Sequence, residues 1–199
     1  TLRPPPVPHL AVSDLLQVIS GQLQGLHDPS KRRKLWHLLR SEHADVSFFL
    51  LSETHCDSES KANEWLKEWG GFSSQLHPSD ACGWFSLSSS PNTGGTAILV
   101  NKKKFDLSRV LHTHTTSAHN GAWTSVWIQT ELGKWRVDSV YLPAQPLLRK
   151  AAILEFFGHP SPFPFDYRIM GGDWNCVELI SRDTENVAAS YPNHHGALL

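Results

Sequence analysis

Arg168-Ile169-Met170-Gly171-Gly172-Asp173-Trp174-Asn175-Cys176-Val177 is the stretch on which the reading of this chain turns. A short apolar run enters two glycines and then presents a carboxylate and an amide two residues apart, the way a buried strand ends at a polar site. Side chains at i and i+2 of extended chain share a face, so Asp173 and Asn175 are expected to point into one cleft while Trp174 turns away. Gly171 and Gly172 leave room for close approach by backbone or ligand. Asp-x-Asn is also a common turn sequence in which both residues bond nearby amides, and by itself it reads that way. The rest of the chain has to decide.

With 199 residues, 40% of them hydrophobic, the chain suits one substantial core better than two small ones. No apolar run approaches the roughly 20 residues that span a bilayer, and no secretory signal pattern opens the chain, so an intracellular place is expected. Cys56, Cys82 and Cys176 are odd in number and far apart, which argues against a disulfide framework or a structural zinc site. The net charge of -1 gives no global field for nucleic acid, and the basic runs Lys31-Arg32-Arg33-Lys34 and Lys102-Lys103-Lys104 read as solvated faces. His112-x-His114 would be half a metal site at most, since no third ligand is identifiable, and surface or packing roles suit these histidines better.

Residues 1–13 are proline-rich and read as an extended lead-in, 14–183 as one domain, and 184–199 as a polar tail. Leu15 to Ser20 is a candidate strand. Asp28-Pro29 starts a helix over Lys31 to about His43, with Leu35, Leu38 and Leu39 as its apolar stripe. Asp45 to Ser52 follows as a strand covered on both faces, so strand, helix and strand form a crossover. Glu53 then stands at the carboxyl end of a buried strand, the place where open α/β sheets put ligand sites. Asp57 and Ser58 cap a second helix whose stripe is Ala62, Trp65, Leu66 and Trp69, and Gly70-Gly71 stops it. Strands at Trp84–Leu87, Thr96–Val100, Val110–Thr115, Thr124–Thr130 and Trp135–Tyr141 read as an antiparallel meander. A last helix runs from Leu147 to Phe157 with Leu148, Ala151, Ala152 and Phe156 inward, and a Pro- and Phe-rich loop leads back to the opening strand.

Five stretches now stand in a known order: Ser20-Gly21-Gln22-Leu23-Gln24-Gly25-Leu26, Ser52-Glu53-Thr54-His55, Gly94-Gly95-Thr96-Ala97-Ile98-Leu99-Val100, Tyr141-Leu142-Pro143-Ala144 and Gly171-Gly172-Asp173-Trp174-Asn175-Cys176-Val177. In these the chain resembles the endonuclease/exonuclease/phosphatase superfamily, most closely the endonuclease domain of non-LTR (LINE-type) retrotransposons. The resemblance implies an α/β fold of two facing sheets flanked by helices, the αββα sandwich of DNase and the apurinic endonucleases, with the active site at one mouth. It implies hydrolysis of phosphodiester bonds with Mg2+ or Mn2+, DNA as partner, a nuclear place of work and a reverse transcriptase domain downstream. Glu53 matches the metal-binding glutamate, Asp173 the aspartate that orients or activates water, Asn175 its phosphate-contacting partner, and Tyr141 the tyrosine that approaches the scissile phosphate. These residue types suit the chemistry: a hard cation takes carboxylate oxygen, water needs an acceptor, and the pentavalent oxyanion needs donors.

Two departures accompany the match. Gln22 stands where the family has asparagine, which moves the amide by about 1 Å and leaves Gln22 as a further candidate for the metal. The family's later Ser-Arg-x-Asp and Ser-Asp-His segments do not appear, so the last strands of the second sheet are expected to be missing, leaving an unpaired edge and part of an apolar face. An inactive, truncated or domesticated remnant that keeps only the scaffold is the alternative these departures suggest. A zinc hydrolase built on His112 and His114 is the third and weakest reading.

Overall fold

A computed structural model describes residues 16–70 and 82–175. The expected lead-in over 1–13, the polar tail over 184–199 and the end of the opening stretch, Cys176-Val177, lie outside the described residues. The elements follow as β1 (Val18–Gln22), α1 (Pro29–Ser41), β2 (Phe48–Ser52), α2 (Glu59–Gly70), β3 (Gly83–Ser86), β4 (Thr96–Val100), β5 (Val110–Thr115), β6 (Trp123–Thr130), β7 (Gly133–Tyr141), α3 (Pro146–Gly158) and β8 (Tyr167–Asp173). They build two mixed four-stranded sheets, in the orders β1-β2-β4-β3 and β5-β6-β7-β8. The β1–α1–β2 crossover is parallel, as its sequence pattern requires. The five middle strands do not form one meander. β3 and β4 pair with each other and join β2 in the first sheet, and only β5, β6 and β7 make the antiparallel run of the second.

Strand alternation explains the layers. Phe48, Leu50, Ile98 and Val100 leave one face of the first sheet to meet Val126, Ile128 and Val137 of the second. Their neighbours Phe49, Leu51, Ala97 and Leu99 leave the opposite face to meet Trp36, Leu39, Trp65 and Trp69 of the helices. Beneath α3, Trp123 and Val140 pack with Ala152, Ile153 and Phe156. A strand buried on both faces reads as a continuous apolar run, which is why β2 is fully buried. The result is helices, sheet, sheet and helix: an αββα sandwich.

The helix faces differ from the sequence expectation. In α1, Arg32, Trp36 and Leu39 are buried, while Leu38 is 38% exposed. In α3 the buried set is Arg149, Ala152, Ile153 and Phe156, and Leu148 and Ala151 face outward. Both helices turn an arginine inward because its charge finds a partner there. Arg32 forks onto Glu68 of α2 through Nε (2.7 Å) and a terminal nitrogen (2.6 Å), donates to the Leu26 carbonyl and lies over the Trp65 ring. The basic run of residues 31–34 is therefore partly structural. α1 itself starts as read, with Asp28 Oδ1 accepting from the Ser30 and Lys31 N–H groups ahead of a first-turn proline.

Gly171 sets the spacing of the two sheets at β8, and Gly172 fits β8 against β7 within its own sheet. A Cβ on Gly171 would sit 2.8 Å from Ser20 Cβ and 2.9 Å from Leu50 Cδ1, across the inter-sheet space. At Gly172, φ is +144° and a Cβ would fall 1.8 Å from the Val140 carbonyl oxygen. Among the described residues β8 is also an edge strand, with Tyr167 and Met170 exposed.

Gly171→Ala is expected to cost about 1–3 kcal/mol by overpacking, and Gly172→Ala more, since its backbone conformation is also lost; thermal unfolding of both variants measures this. A second expectation concerns the α1–α2 clamp. Arg32 beside Glu68 holds that carboxyl below its ordinary value. A depressed carboxylate stabilises the fold above its unfolded pKa, and the contribution is lost as pH falls through the folded one. Glu68→Gln should therefore lower the unfolding free energy at neutral pH by about 1–3 kcal/mol, and the gap to wild type in urea unfolding should close as the pH is taken below the carboxylate range.

Candidate functional site

The two parallel strand pairs deliver their carboxyl ends to one mouth of the sandwich. Gln22 ends β1 opposite Ser52 at the end of β2, with Glu53 next in the chain. In the other sheet Tyr141 ends β7 opposite Asp173 at the end of β8. Because β8 lies close against β1, Gln22 Nε2 donates to Asp173 Oδ2 at 2.8 Å, joining the two sheets across the mouth.

The chain after β2 is held from both sides. The Gly25 N–H donates to the Glu53 carbonyl at 3.0 Å, and the Thr54 and His55 N–H groups donate to the carbonyls of Gly95 and Gly94. This pinning keeps Glu53 and His55 at φ 58°, a left-handed conformation uncommon outside glycine and concentrated at functional sites. His55 Nε2 lies 2.7 Å from Glu53 Oε2, and the His55 ring abuts Gly25, where a Cβ would come within 2.6 Å of Nδ1. Glu53 is thus fixed by backbone and side chain together.

At the opposite wall, β8 stops at Asp173, and Asn175 takes φ 47° and folds back. Asp173 Oδ1 accepts from the Asn175 N–H at 3.0 Å, which is the turn reading of Asp-x-Asn realised literally. Asn175 Nδ2 donates to the Leu142 carbonyl at 2.7 Å and to Asp173 Oδ2 at 3.2 Å. The carboxylate therefore accepts from three donors and faces the mouth at the same time: the turn and the site are one structure. Trp174 turns away, as expected, and packs against Phe156 under α3.

Tyr141 is 7% exposed, and its hydroxyl lies 3.4 Å from Thr93 Oγ1. Burial pushes its phenol pKa up, and the carboxylates of Glu53 and Asp173 push in the same direction, against the Thr93 hydroxyl. Glu53, Tyr141 and Asp173 therefore share one electrostatic environment, and Gln22 and Asn175 border it.

Three further residues take part that the sequence reading did not single out. His55 stands two residues after Glu53, so its spacing was a usable signal. Asn120 precedes a glycine in the left-handed turn of residues 118–120, and its amide ties that turn to Ser89 and Thr93. Arg149 gave no signal, since an arginine in an amphipathic helix normally reads as solvated; here it is buried and donates to the carbonyls of Ala144 and Asn175.

Among the described residues no group of three or more His, Cys, Asp or Glu side chains is placed to hold a metal. Such a closed cluster is what a zinc site uses, whereas Mg2+ takes one or two carboxylates and completes its shell with water and phosphate oxygens. Glu53, fixed and partly open at the mouth, fits the second donor set. His112 and His114 are aromatic packing partners: His112 contacts Trp127 and Phe163 edge-on, and His114 lies over Trp123 and 4.3 Å from the His159 ring. No helix among the described residues is long and apolar enough to cross a membrane.

No family model matches the sequence, and no curated protein matches it. Solved structures do. Humanized TDP2 of D. rerio has a TM-score of 0.50 at 16% identity, covering 82% of this chain and 67% of that one. The AP endonuclease LMAP from Leishmania major gives 0.50 at 14% identity, over 87% and 61%. An endonuclease/exonuclease/phosphatase family protein from Leptotrichia buccalis gives 0.50 at 10% identity, over 81% and 67%. The chain thus spans between 61% and 67% of the length of these three structures. At such low identity the likeness is one of fold alone, and the two-sheet αββα sandwich described here is the fold these proteins share.

Proposed function

We propose that the chain is a divalent-metal-dependent phosphodiesterase acting on nucleic acid, a DNA-nicking endonuclease of the non-LTR retrotransposon kind. The observation that carries this reading is the meeting of Glu53, Tyr141 and Asp173 at one mouth, on backbone held in left-handed conformations at Glu53, His55 and Asn175. Support for nucleic acid as substrate comes from a shared fold with a protein named an AP endonuclease. The order of the five motifs supports the retroelement assignment, with its nuclear setting and an accompanying reverse transcriptase.

In this reading Asp173 is the catalytic acceptor. An ionised carboxylate offers about four lone-pair positions, and three donors occupy all but one, so the remaining position holds the attacking water and takes its proton. Tyr141, kept as a neutral phenol by burial and by the flanking carboxylates, donates its O–H to a non-bridging phosphate oxygen. Asn175 and Gln22 hold Asp173, and Asn175 contacts the phosphate by exchanging its bond to the Leu142 carbonyl. Glu53 is the carboxylate that would hold Mg2+ or Mn2+, with the Gln22 carbonyl oxygen as a second donor. The cation, when bound, neutralises charge developing on the phosphate oxygens.

One observation favours a second reading, a scaffold without turnover. The Gln22 amide covers the Asp173 oxygen that faces the other sheet. A plasmid-nicking assay with Mg2+ or Mn2+ decides between them. Wild type is expected to open supercoiled DNA, with Asp173→Ala and Glu53→Gln each slower by about 100-fold or more and EDTA abolishing the reaction. Wild-type nicking no faster than Asp173→Ala overturns the enzyme reading and leaves the scaffold. Tyr141→Phe is expected to lower kcat by about 10- to 100-fold with KM little changed. Since the Tyr141 phenol is shifted upward, wild-type activity should persist through mildly alkaline pH and fall only above the ordinary tyrosine range, a limb that Tyr141→Phe removes.

A further inference from the structure

Among the described residues Arg32, Arg136 and Arg149 are the buried arginines. Arg32 forks onto Glu68 and Arg136 reaches Asp138, so each of those two charges meets a carboxylate. Arg149 points its guanidinium at backbone instead. One terminal nitrogen donates to the Ala144 carbonyl at 3.0 Å and to the Asn175 carbonyl, and Nε meets no acceptor among the described residues. Burying a cation without a counter-ion is unfavourable, and packing alone would suit an apolar side chain of the same length at this position of α3.

The two acceptors belong to the strand ends that form one wall of the mouth. Ala144 follows Tyr141, the last residue of β7, and Asn175 follows Asp173, the last residue of β8. Past those residues the ends are tied by the Leu142 N–H, which donates to the Asp173 carbonyl at 2.8 Å, and by Asn175 Nδ2, which donates to the Leu142 carbonyl at 2.7 Å. Arg149 closes this ring from α3. Asn175 stands at φ 47°, a conformation that must be held, and its N–H is the donor to Asp173 Oδ1 at 3.0 Å. A bond to the Asn175 carbonyl therefore acts on the carboxylate through one residue. Phe156, also buried on α3, touches Trp174 of the same turn, but an apolar contact gives no direction, whereas a hydrogen bond fixes orientation.

We propose that Arg149 is the positioning residue of the Asp173 carboxylate: through the Asn175 and Ala144 carbonyls it fastens the ends of β8 and β7 to α3, and so keeps Asp173 in place opposite Tyr141. The proposal rests on the phosphodiesterase reading of that mouth. Arg149 makes no contact with water or phosphate in this role and acts only through Asn175. A guanidinium suits the task because its donors point in directions fixed relative to one another, while an ammonium is a point donor on a flexible stem. Placement of this kind matters to rate, since a shift of about 1 Å at a reacting group costs about 100-fold.

The test compares the full chain with Arg149→Met, which keeps the stem and removes the charge and donors, with Arg149→Lys, which keeps the charge, and with Ile153→Ala, which loosens the same helix at a buried apolar position. In metal-free buffer with EDTA, amide hydrogen exchange at Leu142 and Asn175 is expected to be about tenfold faster in Arg149→Met, intermediate in Arg149→Lys and unchanged in Ile153→Ala. In plasmid nicking with Mg2+, Arg149→Met should lower kcat by about 10- to 100-fold with KM within about twofold, Arg149→Lys should recover part of the loss, and Ile153→Ala should stay within about twofold of wild type. Wild-type exchange at both amides in Arg149→Met overturns the proposal. An equal loss of kcat in Ile153→Ala overturns it too, because the effect is then a general loosening of α3. If Arg149→Met does not fold, Arg149→Lys decides by the same exchange readout. Nicking undiminished in Arg149→Met keeps the phosphodiesterase reading and loses the positioning role. Faster exchange in a chain whose wild type does not nick loses that reading and keeps the hold of Arg149 on the turn.

Discussion

The approach of β8 to β1 over the bare backbone of Gly171 is the constraint on which the rest of the molecule depends. A side chain at Gly171 would collide with Ser20 and Leu50 of the facing sheet, so the sheets can close at this point only over a bare backbone. Closure lets an amide at the end of β1 reach a carboxylate 151 residues away. The mouth is therefore a consequence of sheet packing. Its residues come from strand ends that are distant in sequence, and the same contact that completes the core between the sheets brings them together.

Register is the second requirement. A slip of one residue would turn every β8 side chain to the other face and carry Asp173 away from its position opposite Tyr141. Buried charge opposes such a slip. Asp138 of β7 is fully buried and accepts from Arg136 on its own strand at 2.9 Å and from Arg168 of β8 at 2.7 Å, with Ser125 of β6 as a third donor. Both guanidinium groups lie against the Phe156 ring of α3. A buried ion cluster of this kind contributes little net stability, but leaving any member without its partner is costly, so it selects one register over the alternatives. Arg168 opens the stretch that Asp173 closes, and the two act together: one locks the strand and the other is placed by it.

Much of the architecture was legible in the sequence. β4 and β5 have the expected bounds, β2 reads as a strand buried on both faces, and Asp28-Pro29 starts α1 where a side-chain cap and a first-turn proline should. The two helix faces were misplaced by about one position because the reading counted leucines and treated arginines as solvated. Trp36, Arg32 and Arg149 won those positions through pairing and ring contacts that only neighbouring elements supply. The assignment of β3 and β4 to the first sheet was likewise invisible. Short alternating strands specify that they pair, and their partners are chosen by which apolar faces remain uncovered.

The sequence by itself determined the strand–helix–strand order, the apolar faces and the residue types at the mouth, because periodicity, caps and glycine positions are local properties of the chain. It also supplied both meanings of Asp173 and Asn175: the local pattern read as a turn, and the order of the five motifs pointed to a site. Tertiary structure decided what surrounds them: the Asn175 N–H closes the turn on Asp173, while Gln22 reaches the same carboxylate from the end of β1 in the facing sheet and Tyr141 stands opposite it at the end of β7. It also decided the left-handed backbone at Glu53, His55 and Asn120, which no local preference would choose. Those conformations exist because hydrogen bonds from separate loops impose them: the loops after β1 and before β4 hold Glu53 and His55, and the loop between β3 and β4 holds Asn120.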